Sequence, residues 1–168
     1  MALSCFLGQG HSCFSQERLQ LDLDDSNISF RIKHMGVLTV EGRFREAEGS
    51  MFVTENRPVR MDCEVTSASV DTQNSSRDAT LRETAYLDAE NFPTITFDSE
   101  EIASNTIFGT LTIKGVARAI EVPYTWEEKM LRAKFEIDRE NYGLDFGRMD
   151  GLIGKQISVE LTLVFGNH

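Results

Sequence analysis

The chain has 168 residues, 40% of them hydrophobic and 26% charged, a composition typical of a single globular domain large enough to bury a core. Its formal net charge of −10 argues against a nucleic-acid-binding protein, because phosphate contacts need clustered lysine and arginine. No stretch approaches the roughly 20 apolar residues that a membrane-spanning helix requires, so we expect no transmembrane segment in the domain.

The first 16 residues differ in character from the rest of the chain. A short apolar run from Ala2 to Gly8 is followed by small and polar residues that end at Gln16. This order is typical of an export signal, but the basic residues that normally open one are missing. Residues 1–16 are therefore either an export-signal remnant or a disordered tail, and residues 17–168 form the domain. Export would place the domain in the periplasm or outside the cell; the alternative is the cytoplasm.

Strict alternation of apolar and polar residues begins soon after this segment. It is clearest from Ile28 to His34 and from Val59 to Val65, where every second residue is polar or charged. Alternation of this kind predicts a strand with one buried face and one face in water. Further strands are predicted at residues 19–23, 37–44 and 49–54.

A charged insertion follows the strand that ends near Val65. Ser75 or Ser76 can cap a helix there, and Asp78 places negative charge in the first turn, where the helix dipole favours it. We predict a short helix over about residues 76–90. Because isolated helices below about 12 residues are marginal in water, this helix must pack against the sheet.

The second half of the chain returns to strand patterns. Strands are predicted after Pro93 and at residues 107–113, 116–126, 131–137 and 157–165, with Lys114-Gly115 as a tight turn. The total is about eight antiparallel strands, and such a sheet usually closes into a barrel or folds into a sandwich, which removes its edges. The sequence therefore predicts an all-β antiparallel fold whose charged outer face lies in water.

The inward positions of these strands are almost wholly apolar. A barrel of eight strands can be filled by its own side chains or can keep room for one small ligand, and alternation alone leaves both alternatives open. The candidate residues of an apolar cavity are Phe30, Ile32, Met61, Val65, Phe97, Phe135, Ile137, Leu161 and Leu163.

Residues 138–156 are too glycine-rich for a regular strand and too apolar for a free linker. One interpretation is a mobile flap over the barrel mouth, with Tyr142, Phe146 and Leu152 as its ligand contacts. The other is a packed connection that closes one end of the core.

Polar candidates inside the barrel are few. His34 ends an otherwise apolar strand face, and Arg82 lies on the predicted helix, so both are candidate polar contacts to a ligand; Arg43, Arg77 and Arg139 raise the same question. A buried histidine that satisfies a neighbouring carbonyl is the structural alternative. The three cysteines lack the spacing of a zinc site, and no nucleophile elbow or phosphate loop is present. We therefore expect no metal, no catalytic residue and no enzyme activity.

Several segments carry a family resemblance in a fixed order. They are Phe30 to Gly36, Gly42 to Phe44, Ala68 to Arg82, Phe92 to Phe97 and Gly109 to Gly115. Over roughly residues 19–166 the chain resembles the YceI-like family. The resemblance implies a lipocalin-like barrel with a helical insertion, whose cavity holds a polyisoprenoid lipid or an isoprenoid quinone tail. Members are commonly periplasmic. Thr80 and Lys155-Gln156 depart from the family pattern at polar positions, which leaves contacts to a ligand head group open.

Three functional hypotheses follow from the sequence and this resemblance. The first is a soluble carrier that shields an isoprenoid tail and needs no cofactor beyond that ligand. The second is a non-lipid interaction module with a filled barrel, in which a strand edge or the flap could form a homodimer. The third, which has the weakest support, is an enzyme that acts on an isoprenoid or quinone.

Overall fold

The computed structural model describes residues 15–167. The N-terminal segment that is predicted as export signal or tail falls mainly on residues 1–14, outside the described residues. Within the described range the chain forms ten strands, one α-helix and three 3-10 helices. The strands are β1 (Glu17–His34), β2 (Leu38–Phe44), β3 (Ala47–Thr54), β4 (Arg57–Thr66), β5 (Val70–Asp71), β6 (Thr94–Ile102), β7 (Thr106–Ile113), β8 (Val116–Glu127), β9 (Met130–Asp138) and β10 (Ile153–Gly166). Helix α1 is Ser75–Leu81, and the 3-10 helices are Ser67–Ser69, Arg139–Tyr142 and Gly147–Leu152.

The strands form a closed antiparallel barrel. Neighbouring pairs run from β3 through β4, β6, β7, β8 and β9 to β10, and β10 pairs with β1. The first residues of β1 pair with β3 and its last residues pair with β2, so β2 and β3 share one position in the barrel. Strand β5 pairs only with the end of β2. Over the described residues the barrel thus has eight strand positions, which confirms the predicted fold class.

Alternation along the strands separates the core from the surface. On β7, Ile107, Gly109, Leu111 and Ile113 are buried, while the residues that alternate with them are half-buried. Because side chains on a strand point alternately to its two faces, each buried set faces the barrel interior. Lys114 and Gly115 both have positive φ, 49° and 73°, and form the predicted turn between β7 and β8.

One end of the barrel is closed by packed apolar side chains, and we call it the closed end. Leu19, Met51 and Phe165 are buried there, and Trp126 packs against Phe165 with ring centroids 6.0 Å apart. The Trp126 indole N–H donates to the carbonyl of Asn56 at 3.0 Å. The polar atom of this large aromatic ring is therefore satisfied at the edge of the core.

The helical insertion is shorter than predicted. Helix α1 has seven residues, and its N-cap is Asn74, whose side chain accepts from the Arg77 N–H at 3.0 Å, rather than Ser75 or Ser76. Residues 82–92 form a series of turns instead of more helix, and Asp88 has a φ of 49° that no α-helix contains. The prediction of helix to residue 90 is wrong because these turns are fixed by packing over the barrel, which overrides local propensity.

In the part of the chain that is described, no helix has the length and apolar character needed to cross a bilayer.

Candidate functional site

A cavity of about 380 Å³ lies inside the barrel. Its walls consist almost wholly of apolar side chains from the strands. All nine residues that alternation predicts for an apolar cavity lie in this wall: Phe30, Ile32, Met61, Val65, Phe97, Phe135, Ile137, Leu161 and Leu163. The barrel is therefore not completely filled by its own side chains.

The cavity extends from the buried core toward the end of the barrel opposite the closed end, and we call that end the mouth. Its deepest wall residues, Ile107, Leu131 and Leu163, are almost fully buried. At the mouth, the wall residue Met149 is 42% exposed. A ligand that enters from the mouth would thus meet apolar surface along the whole length of the cavity.

Helix α1 covers one side of the mouth and is fixed by a buried carboxylate. The backbone N–H and the hydroxyl of Thr72 donate to Asp78 Oδ1 at 2.8 and 2.5 Å. Arg77 donates from Nε to the Thr72 hydroxyl at 2.8 Å and from Nη2 to the Thr72 carbonyl at 2.9 Å. Asp78 is buried, so the two bonds from Thr72 satisfy a carboxyl group that would otherwise be costly to bury. With α1 held in this way, its last residue, Leu81, lies in the cavity wall.

The other side of the mouth is covered by residues 139–152, which we call the flap. Arg139, the first residue of the flap, is only 1% exposed. Its guanidinium donates to the carbonyls of Leu144 at 2.7 Å and Gly154 at 3.0 Å, and more weakly to those of Asp150 and Ile153. The flap backbone is irregular and has no strand partner. The Arg139 guanidinium thus satisfies carbonyl groups that a neighbouring strand would otherwise pair.

Arg139 also contacts two side chains of the flap. It forms an ion pair with Asp150 at 2.8 Å, and its guanidinium lies 4.7 Å from the centre of the Phe146 ring. The bond from Arg139, followed by that from the Phe146 N–H, lowers the pKa of the Asp150 carboxyl. Phe146 in turn packs edge-on against Tyr86 at 5.0 Å, so the flap and the turns after α1 meet over the cavity.

Of the three predicted flap contacts, only Phe146 lies in the cavity wall. Tyr142 is buried in a small core beside Leu111 and Leu144, and burial raises the pKa of its hydroxyl. Leu152 is turned outward and is exposed. The prediction that Tyr142 and Leu152 line the cavity is therefore wrong. The flap is built from two short 3-10 helices, and its sequence has no regular spacing that shows which side chains face the cavity.

His34 lies in the cavity wall, as predicted for a polar contact. Its Nε2 atom is buried and has no hydrogen-bond partner among residues 15–167. A buried ring nitrogen without a partner is unusual in a folded protein, and it is available to a polar group inside the cavity.

Arg82 does not line the cavity. Its guanidinium donates to the carbonyls of Ala68 at 2.8 Å and Val70 at 3.3 Å, so it anchors the insertion. Arg77 lies in the wall instead. Arg77 and Leu81 are four residues apart on one face of α1, so helical spacing from the predicted anchor Leu81 could have indicated Arg77 rather than Arg82.

Cys63 lies in the wall as a small hydrophobic residue. Burial, with smaller effects from Asp62 and Glu64, raises the pKa of its thiol to about 12, which keeps the sulfur protonated and unreactive near neutral pH. Across the described chain, no three His, Cys, Asp or Glu side chains are grouped so as to hold a metal ion.

The wall also contains residues that the sequence analysis did not single out. They come mainly from β7 and β8 and from the segment around α1, and alternation on the two strands was the signal that could have found them. They include Val70, Ile107, Leu111, Ile113, Ile120, Val122 and Leu131.

Comparison with known proteins places this chain in a family. Residues 19–165 match the model of the YceI-like domain. A UPF0312 protein of Yersinia enterocolitica is 32% identical over 127 residues, which is 72% of this chain and 64% of the relative. A UPF0312 protein of Pseudomonas aeruginosa is 32% identical over 125 residues, 71% of this chain and 65% of the relative. The match thus spans a little under two thirds of the length of these relatives.

Solved structures share the fold at low sequence identity. BcnA of Burkholderia cenocepacia superposes with a TM-score of 0.78 at 21% identity, covering 88% of this chain and 99% of that one. A polyisoprenoid binding domain from Saccharophagus degradans, implicated in plant cell wall breakdown, gives 0.71 at 15% identity, covering 89% and 98%. The YCEI protein of Campylobacter jejuni gives 0.69 at 21%, covering 82% and 91%. With the family model matched over most of its length, the chain belongs to the YceI-like domain family.

Proposed function

We propose that this barrel is a binding protein that holds the tail of a polyisoprenoid lipid or an isoprenoid quinone in its cavity. The observation that carries the proposal is the continuous apolar wall, from the buried Leu131 and Leu163 to Phe146 and Met149 at the mouth. A branched hydrocarbon chain fits such a wall because it requires no hydrogen bonds along its length. That a structurally similar domain is described as polyisoprenoid binding supports the same ligand class.

The energetics favour a long apolar tail. Each buried CH₂ group contributes about 0.8 kcal/mol, so a few isoprene units inside the barrel would give tight binding without any polar contact. The cavity volume of about 380 Å³ is near the lower end of the usual range for ligand sites, roughly 300–1,000 Å³. A long chain would therefore be enclosed in part, unless the flap moves to enlarge the cavity.

The polar atoms of the wall suggest where a head group would lie. His34 is at the mouth end of β1 and presents the buried Nε2 that lacks a partner among the described residues. Arg77 lies in the wall across from the flap. A quinone carbonyl or an alcohol could bond to His34, whereas a filled apolar barrel would leave that nitrogen unsatisfied.

Binding, rather than catalysis, is the activity that this wall supports. The polar side chains in it are few, and Cys63, the one thiol of the described residues, is protonated near neutral pH. We propose no cofactor besides the bound isoprenoid. A catalytic role would be supported by turnover of a quinone or prenyl substrate that depends on His34 or Arg77.

We further propose that the domain acts in the periplasm or outside the cell, as the N-terminal composition and the family resemblance suggest. The N-terminal residue of protein isolated from its own cells tests this. A mature chain that starts near residue 17 supports export, and an intact Met1 or Ala2 contradicts it.

The cavity proposal is tested by native mass spectrometry of gently purified protein, followed by organic extraction and identification of what is released. The key variant is Val159→Phe, which places a ring inside the cavity, and the matched control is Val164→Phe, whose side chain is outside the wall on the same strand. Overpacking of this kind costs about 1–3 kcal/mol, which a stable barrel tolerates.

We expect a discrete prenyl lipid or quinone mass on the wild type and on Val164→Phe, and its loss from Val159→Phe. A clean apo mass that stays unchanged after incubation with isoprenoid quinones and polyprenols would contradict the proposal. Equal ligand retention by both variants would place the ligand elsewhere.

A further inference from the structure

Exposed large apolar side chains are concentrated at one place on the barrel. Among residues 15–167, six such side chains are exposed, and five of them come from the β1–β2 turn region and the flap. We call these five the apolar rim: Met35, Val37, Leu38, Met149 and Leu152. Val37 is 85% exposed. The sixth, Val59, is near the start of β4 and thus toward the closed end.

Backbone contacts join the two parts of the rim. His34 pairs with Ile153 at the junction of the flap and β10, and the Met35 N–H donates to the Leu152 carbonyl at 2.6 Å. The β1–β2 turn and the second 3-10 helix of the flap therefore lie side by side. Their exposed side chains form a single patch rather than two isolated ones.

The rim is continuous with the cavity. Met149 belongs to both, since it is exposed and also lies in the cavity wall. Leu38 is two residues before the wall residue Val40 on β2 and pairs with the wall residue His34, so it extends the inward face of that strand to the outside. The rim thus joins the cavity wall at Met149 and, through Leu38, along β2.

We propose that the apolar rim seats the mouth of the barrel on the surface of a lipid bilayer, so that the ligand passes between bilayer and cavity without crossing water. This inference rests on the proposed function, because the bilayer is where an isoprenoid lipid or quinone resides. Exposed apolar patches bordered by polar residues mark interaction surfaces, and this one surrounds an apolar opening. A protein partner seated on the rim would instead cover the opening.

The charges beside the rim fit a bilayer interface. Lys33 and Lys155 are exposed and lie beside the His34–Ile153 pair, one on each strand; Lys155 is paired with Glu140 at 2.9 Å, whereas no ion pair holds Lys33 among the described residues. Lysine stems can lie along apolar surface while their ammonium groups reach the head groups. Because the whole chain has a net charge of −10, strongly anionic bilayers would repel it, so a zwitterionic bilayer is the expected partner.

The docking surface is tested by flotation of the protein with phosphatidylcholine vesicles. The variant is Val37→Asp combined with Leu152→Asp, one side chain from each part of the rim and neither in the cavity wall. The control is Val59→Asp, an exposed apolar residue away from the mouth. We expect the double variant to reduce the vesicle-bound fraction roughly tenfold, since two apolar side chains no longer enter the bilayer, and the control to leave it unchanged.

A second measurement separates docking from ligand binding. Each variant is loaded with an isoprenoid quinone from a dispersion without vesicles, and uptake is then measured from vesicles that carry the same quinone. Equal loading without vesicles, together with slower uptake by the double variant alone, supports docking. Rim-dependent flotation with no quinone bound to any form would support docking and refute the proposed ligand.

Three results would overturn the docking proposal. The first is a wild-type protein that does not float with the vesicles. The second is a loss of flotation in Val59→Asp as large as that in the double variant. The third is uptake of quinone from vesicles that is equally fast in the wild type and the double variant. A dimer that sedimentation detects and the double variant dissociates would assign the rim to a second copy of the chain, which also overturns it.

Discussion

The two ends of the barrel are held together by different forces. At the closed end, Leu19, Met51 and Phe165 pack into a continuous apolar core. At the mouth, two buried charged residues fix irregular backbone: Asp78 accepts from Thr72, and Arg139 donates to four carbonyls. Apolar packing holds the closed end together by filling its interior with side chains. A buried charged group that bonds to backbone atoms can instead hold a mouth segment in place without filling the cavity beside it.

This difference explains how the barrel can be stable and hollow. Large apolar anchors at the mouth would project into the interior and fill the cavity. The guanidinium of Arg139 is instead satisfied by its own flap and by the Gly154 and Ile153 carbonyls at the start of β10. Of the flap, Leu144, Phe146 and Met149 reach the cavity wall. Variants at the two ends should therefore fail in different ways.

The largest effect is expected at the closed end. Met51 is fully buried and lies outside the cavity wall, so Met51→Ala should lower the free energy of unfolding by an amount in the upper half of about 2–5 kcal/mol. Leu161→Ala, in the partly empty cavity wall, removes fewer contacts and should fall in the lower half of the same range. Urea unfolding at neutral pH measures both. Equal losses would contradict the distinction between a filled end and a hollow one.

Arg139→Met should destabilise the protein somewhat less and in a different place. The bonds to Leu144 and Gly154 are the shortest, and hydrogen bonds from a charged group contribute about 1.5–3 kcal/mol each, so we expect a loss of about 3 kcal/mol. Hydrogen exchange should show the loss of protection in residues 139–156 first, while the closed end stays protected.

Arg118→Ala is the matched control for Arg139→Met. Arg118 also reaches the flap region, but it is exposed and donates one bond, to the Asn141 carbonyl at 3.0 Å. Its removal should change the free energy of unfolding by less than about 1 kcal/mol, since water can replace the bond. A comparable loss in both variants would show that burial of Arg139 is not what matters.

The sequence predicts the strands and the residues that face the barrel interior for a simple reason, although alternation does not show whether that interior is filled or hollow. Phe135, Ile137 and Leu161 sit on strands whose side chains alternate strictly, so burial of one member of the set predicts the others. All nine cavity residues follow this rule. The same rule gives no information on Tyr142 and Leu152, because the flap has no regular period. Its backbone path is set by the hydrogen bonds of Arg139.

The anchors of the mouth depend on contacts between distant segments. The carbonyls that Arg139 meets are 5 to 15 residues away along the chain, and the sequence does not show that they converge. Arg77 and Arg82 lie near the two ends of one short helix, which begins after Asn74. Arg77 lies on the helix and in the cavity wall, whereas Arg82 follows its last residue and bonds to backbone carbonyls of the insertion, and the sequence does not show that the helix ends between them.

The smallest expected effect concerns the response of the flap to acid. The Arg139 bond, then the Phe146 N–H, lowers the pKa of Asp150 in the folded protein, so the native state favours the ionised carboxylate. Its contribution is therefore complete above the ordinary value of 3.8 and is lost as pH falls through the lower folded value. Below 3.8, the urea midpoint of the wild type should fall more steeply than that of Asp150→Asn.

The comparison with Asp150→Asn is needed because other carboxylates titrate in the same range. The Gln73 N–H, followed by Arg45, also lowers the pKa of Asp71, which fixes the end of β5 rather than the flap. Both proteins share that loss, so only the difference between their slopes reports on Asp150. Parallel slopes would mean that Arg139 is held by its carbonyl partners alone, and that the flap is as insensitive to acid as the closed end.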